Sequence, residues 1–160
     1  MILHDSYTKQ QDVSGEAWGT QGERREVKCV LIVDDEPDHR LVLRTMLEGC
    51  GYDCEEAQDG MEALDVLGKA DVHVVLTDLQ MPRMNGVQLV KHVASHATFK
   101  SIPVILVTSQ TPDLIPSFDE RKKIFTILSK PYEWPRVLTA VAKAIEGAAR
   151  TSREISLAVS

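Results

Sequence analysis

A chain of 160 residues with 43% apolar and 26% charged residues can bury one substantial core, whereas two ordinary domains would each be left with too little interior. That composition excludes a wholly disordered chain. The formal net charge of −6 lacks the basic footprint that displaces counterions from phosphates, so no direct nucleic-acid partner is expected.

Residues 1–26 are polar and aperiodic, with Gly15, Gly19 and Gly22 scattered among them, and are expected to form a flexible arm. Its lone Trp18 is either incidental or a docking anchor. The start lacks a charged stretch followed by an apolar one, and no apolar run approaches a membrane span. A cytoplasmic protein without a membrane partner is expected.

From Val27 onward, short apolar runs alternate with segments of helical period. The runs 30–33, 72–76 and 104–107 are almost continuously aliphatic and predict strands buried on both faces, as in a parallel sheet. Weaker strands are predicted over 53–57, after the turn Gly49-Cys50-Gly51, and near 125–128. Leu43, Met46, Leu47 and Cys50 recur at helical spacing, as do Ala63, Leu64 and Leu67, and then Val90, Val93, Ala94 and Ala97. The cleanest amphipathic helix carries Val137, Leu138, Val141, Ala144 and Ile145. Pro135 suits its first turn, and Gly147 is expected to close it. Cys29, Cys50 and Cys54 include no CxxC pair and suggest mostly buried thiols, not a zinc site or a disulfide framework.

Strands alternating with helices give about five βα units, hence an α/β fold with a parallel sheet covered by helices on both faces. Ligands of such sheets sit beyond the carboxyl ends of the strands. Those positions are filled by Asp34-Asp35-Glu36, Asp78, Thr108-Ser109 and Lys130-Pro131. Taken singly, each has a plain structural explanation: the acids as helix caps, the threonine and the Lys-Pro step as turn residues. Taken jointly, they collect three carboxylates, a hydroxyl and an ammonium on one sheet edge, which independent accidents would rarely do. Crowded carboxylates repel one another unless a hard cation neutralises them, and oxygen donors suit Mg2+. A cation and a lysine around one carboxylate also serve phosphoryl transfer, with Asp78 as nucleophile.

Four stretches, 30–37 (VLIVDDEP), 77–86 (TDLQMPRMNG), 104–109 (VILVTS) and 128–131 (LSKP), resemble the receiver domain of two-component response regulators, in its stand-alone type. The resemblance runs over residues 27–147, between an arm at 1–26 and a tail at 148–160 that is either frayed or a continuation of the last helix. It implies a flavodoxin-like, doubly wound five-stranded sheet of order 2-1-3-4-5. It further implies that Asp34, Asp35, Asp78 and the backbone carbonyl of Gln80 hold Mg2+, that Asp78 accepts the phosphoryl group, and that Thr108 and Lys130 bind its oxygens. Pro131 should follow a cis bond, and Gly86 should let the chain turn behind the site. The implied function is phosphorelay signalling, not steady enzymatic turnover. A histidine kinase or histidine phosphotransferase would be the donor, and a downstream protein would dock on the fourth helix, fifth strand and fifth helix.

Three features depart from the family. Ile127 stands where receivers carry an aromatic residue, and Phe125, expected on the same strand face, is a candidate substitute. Pro112 and Pro116 shorten or delay the fourth helix to about 117–124, whose Arg121-Lys122-Lys123 run is a solvated face or a docking surface. Gln80 and Gln110 flank the phosphorylation site as neutral amides. Two other readings fit the residues less well. A phosphohydrolase of the haloacid dehalogenase type places its nucleophile on the first strand with a second acid two residues on, where this chain has Gln80. A receiver fold kept only for protein binding would not need the intact acids, Thr108 and Lys130.

Overall fold

The computed structural model describes residues 25–110 and 121–159. The expected arm therefore lies outside the described residues apart from Arg25 and Glu26, as does the first half of the expected fourth helix, residues 117–120. Five strands, β1 (Cys29–Val33), β2 (Asp53–Ala57), β3 (Val74–Asp78), β4 (Val104–Thr108) and β5 (Ile124–Ser129), form one parallel sheet. The order is β2-β1-β3-β4-β5, the flavodoxin-like arrangement that the resemblance implies. Among the described residues four helices connect or follow them: α1 (Pro37–Gly49), α2 (Gly60–Leu67), α3 (Gly86–Ser95) and α4 (Trp134–Ala158).

The aliphatic runs form central strands because each face of the sheet has its own core. On one side Leu31, Val33, Val75 and Leu106 meet Ala63 and Leu67 of α2 and Leu89, Val90 and Val93 of α3. On the other, Val30, Ile32, Leu76 and Ile105 meet Leu43 and Leu47 of α1 and Val137, Val141 and Ala144 of α4. The alternation of neighbours along β1 and β3 follows the period of two in a strand. Fully burying each such aliphatic side chain contributes roughly 1.5–3 kcal/mol, so the two cores fix the strand register. That register fixes which residues reach the carboxyl edge.

Four details differ from the sequence-based expectation. Gly147 does not close the last helix, which continues to Ala158. The helix formers Ala148, Ala149 and Arg150 outweigh the roughly 1 kcal/mol cost of an internal glycine, so the continuation alternative describes residues 148–158. The third strand begins at Val74, not at residue 72. The helix expected to reach residue 124 gives way earlier, because Lys122 and Lys123 form a turn and Ile124 is a buried strand residue paired with Val104.

The fourth concerns Phe125, which does not share a face with Ile127. Val104 pairs with Ile124 but Ile105 pairs with Thr126, so Phe125 is an extra residue in a bulge. Ile127 packs against the α2–α3 core. Phe125 lies 44% exposed beside α4, where its ring faces Gly147. Of the cysteines, Cys54 is buried, Cys29 half-buried and Cys50 exposed.

Candidate functional site

β1 and β3 are adjacent and in register, with Val33 opposite Thr77, so the residues that follow them emerge side by side. Asp34 is buried, and its Oδ1 accepts the Glu36 N–H at 2.9 Å while its own N–H donates to the Ala57 carbonyl at 3.1 Å. It does not cap α1, whose N-cap residue is Glu36. Asp35 is exposed beside it. Asp78 ends β3, and its Oδ1 accepts the Gln80 N–H at 3.2 Å. One oxygen from each of Asp34, Asp35 and Asp78 lies within 4.8 Å of the others. All three donors are hard carboxylate oxygens, which fits a hard divalent cation such as Mg2+ better than a softer metal.

Lys130 reaches this cluster from the end of β5. Its main-chain N–H donates to the Thr108 carbonyl at 2.7 Å, which ties the ends of β4 and β5 together. The Nζ then donates to Asp78 Oδ2 at 2.9 Å and to Asp34 Oδ2 at 3.3 Å. Burial works against the ammonium, but the hydrogen bonds and negative charge of Asp78 and Asp34 outweigh it, and the Lys130 pKa is raised. The Lys130–Pro131 peptide is cis, as expected. Thr108 is buried, and its Oγ1 accepts the Gln110 N–H at 3.0 Å. Asp34, Asp35, Asp78 and Lys130 are thus brought together, with Thr108 joined to them through the Lys130 backbone. Gln80 and Gln110 line an open cleft of about 690 Å3 beside Asp35.

Gly86 opens α3 directly behind the phosphoacceptor candidate, and its role is space more than a turn. An added Cβ would run into the Asp78 carbonyl oxygen and come within 2.9 Å of Leu106 Cδ1 and 3.0 Å of Leu79 Cα. Sequence reasoning missed His39. Its Nδ1 lies 3.4 Å from both Lys130 Nζ and Asp34 Oδ2, and its Nε2 lies 3.3 Å from Glu36. The available signal was its place in the first turn of the helix that follows the acids. Asp59 and Arg83, which pair behind the loop after β3, carried no signal beyond a helix cap and a turn.

Glu26, Asp71 and His73 also converge, at the opposite end of the sheet. There His73 Nδ1 accepts the Cys29 N–H at 3.2 Å and Glu26 pairs with Lys28 at 2.6 Å. These bonds tie the chain ahead of β1, and they leave the imidazole Nε2 protonated when the ring is neutral, unsuited to a metal.

Residues 30–142 match the family described as the response regulator receiver domain. The chain is 43% identical over 83 residues to the chemotaxis protein CheY1 of Helicobacter pylori, covering 51% of this chain and 67% of that protein. It is 40% identical over 80 residues to the sensor histidine kinase RcsC of Escherichia coli, covering 50% of this chain but 8% of the kinase. Among solved structures, Vibrio cholerae CheY4 superimposes with a TM-score of 0.65 at 29% identity, covering 74% of this chain and 98% of the other. Response regulator TrrA of Thermotoga maritima, a complex with Mg(2+)-BeF, gives 0.66 at 25% identity, covering 74% and 99%.

Proposed function

Because the chain belongs to the response regulator receiver family, the phosphoryl-accepting switches of two-component signalling, we propose that Asp78 is its phosphoacceptor and that Asp34, Asp35, Asp78 and the Gln80 carbonyl hold Mg2+. The observation that carries this reading is Lys130 Nζ at 2.9 Å from Asp78 Oδ2, beside three convergent carboxylates. The similar TrrA structure, a complex with Mg(2+)-BeF, supports the same metal and a phosphoryl-like group here.

In the reaction, an Asp78 carboxylate oxygen attacks the phosphorus of a phosphohistidine. The new O–P bond forms as the N–P bond breaks, and the imidazole nitrogen leaves with the bonding electrons and takes up a proton from solvent. Bound Mg2+ supplies neutralisation of phosphoryl oxygen charge. Lys130 supplies a second positive charge from a position it already occupies, so little reorganisation is needed at the moment of transfer. The Thr108 hydroxyl, which accepts the Gln110 N–H, donates its own O–H to a phosphoryl oxygen. Gln80 and Gln110 place neutral amides, not an acid, beside the new acyl phosphate, and its lifetime is intermediate. Decay within seconds would contradict that last point.

The donor is a histidine kinase or histidine phosphotransferase. The output is altered binding of a downstream protein at the expected fourth helix, β5 and α4, through a population shift between two states. The acceptor assignment is tested by incubating the full chain with acetyl phosphate and Mg2+. Near-stoichiometric labelling is expected for the native chain, none for Asp78→Asn, and none for the native chain in excess chelator. Equal labelling of the native and Asp78→Asn chains would remove Asp78 from its role.

A further inference from the structure

The loop after Asp78, residues 79–85, has a strained turn at its tip. Arg83 has φ +63°, the one positive value at a non-glycine residue among those described. The Met84 N–H donates to the Pro82 carbonyl at 2.7 Å, which with this φ makes a γ-turn of the rarer, strained hand. An L-residue avoids this region because its Cβ crowds the following carbonyl, and glycine would sit there without that cost. Strain of this kind persists only where surrounding contacts over-determine the backbone.

Those contacts come from the start of α2. The Asp59 carboxylate is 2% exposed. Its Oδ1 accepts the Met61 and Glu62 N–H groups at 2.9 and 3.0 Å and caps the helix, while its Oδ2 pairs with the Arg83 guanidinium. The next residue, Gly60, donates its N–H to the Met84 carbonyl at 3.2 Å. A Cβ there would lie 2.5 Å from Met84 Cγ, so only glycine allows the two segments to meet this closely. At the loop's base, the Leu79 N–H donates to the Val107 carbonyl and the Gly86 N–H to the Leu79 carbonyl. Gln80 sits between these anchors, with its N–H on Asp78 Oδ1.

We propose that the Arg83–Asp59 pair is a positioning device for the cation site. It holds the tip of the loop in its strained turn, so that Gln80 and the Asp78 carboxylate are set for a divalent cation before one binds. A plain cap would need only Asp59 Oδ1, yet a second, buried oxygen of the same carboxylate takes the guanidinium. The proposal rests on the reading that Asp34, Asp35 and Asp78 bind Mg2+, and its test keeps the two apart.

Calorimetric titration of the full chain with Mg2+ alone, paired with thermal unfolding, separates positioning from stability. Asp59→Asn keeps a cap oxygen but loses the ion pair, and Arg83→Gln removes the pair while keeping the strained turn. Each is expected to weaken Mg2+ binding about tenfold, the lower end of what loss of an outer partner of a metal ligand does. The double variant should be no weaker than either single one, because both remove one interaction. Arg83→Gly, which relieves the strain as well as losing the pair, should unfold no lower than Arg83→Gln and bind Mg2+ more tightly, a difference that loss of the pair alone cannot produce. Mg2+ affinities within twofold of native in both single variants, or losses that multiply in the double variant, would overturn the proposal while leaving the cation site standing. Absence of Mg2+ binding to the native chain would overturn both.

Discussion

The end of β5 and its beginning are a few residues apart yet organised in opposite ways. At the end, Leu128 pairs with Val107 and Ser129 with Thr108, and Lys130 is delivered onto Asp78 and Asp34 with short, specific bonds. At the beginning, the register slips by one residue, and Phe125 is extruded beside α4 while Ile127 packs on the far face. The bulge is absorbed before the strand reaches the site. The residues delivered to the site and the face presented at the strand start can therefore vary independently on a single strand, since a bulge re-aims the side chains near it and the ladder downstream recovers its pairing.

If reception depends on the strand end alone, Lys130→Met should have the largest effect. Labelling by acetyl phosphate should slow about 10²-fold, the typical cost of removing one preorganised charge partner, with the fold retained by circular dichroism. A rate within threefold of native would break the comparison at its stronger side.

Gly86→Ala comes next, because the added methyl meets the Asp78 carbonyl and the Leu79 backbone. Overpacking of this kind costs roughly 1–3 kcal/mol, readable as a lower urea midpoint at unchanged slope. An unchanged midpoint would mean that the loop yields more easily than its contacts suggest.

A smaller effect attaches to Asp59. Burial opposes its charge, but the Glu62 N–H, the Arg83 guanidinium and the Met61 N–H outweigh that, and its pKa is lowered from 3.8. A depressed carboxylate contributes stability that is complete above the unfolded-state value and is lost as pH falls through the folded-state value. The difference in unfolding temperature between the native chain and Asp59→Asn should hold from pH 7 down to about 4 and shrink below 3.8. A gap that persists undiminished at lower pH would assign the effect to packing.

The smallest expected effect is that of Phe125→Ala. Its ring is 44% exposed, so labelling of Asp78 should stay within experimental error and stability should fall by less than about 1 kcal/mol. Slowed labelling would show that the two ends of β5 are coupled after all.

The division between strand end and strand start also marks what could be read from the sequence. Aliphatic runs such as 30–33 and 104–107 specify buried parallel strands because nothing else accommodates them, and the residues just past them must then share an edge. Asp34, Asp78, Thr108 and Lys130 were legible for that reason. The bulge at Phe125 was not, since a period-two pattern carries no mark of one inserted residue. Gly147 misled because glycine's stop signal is weak against strong helix formers on its far side. The approach of His39 to Lys130 and the Arg83–Asp59 pair depend on tertiary contact between segments distant in sequence, which no local pattern encodes.

The central claim is that one carboxylate among three neighbours takes the phosphoryl group. Borohydride trapping tests it directly, because reduction of an acyl phosphate on aspartate leaves homoserine at the modified position. After labelling with acetyl phosphate and Mg2+, peptide mass mapping should find homoserine at position 78 and unmodified aspartate at Asp34 and Asp35. Homoserine at position 34 or 35, or phosphate recovered without any at 78, would contradict the account.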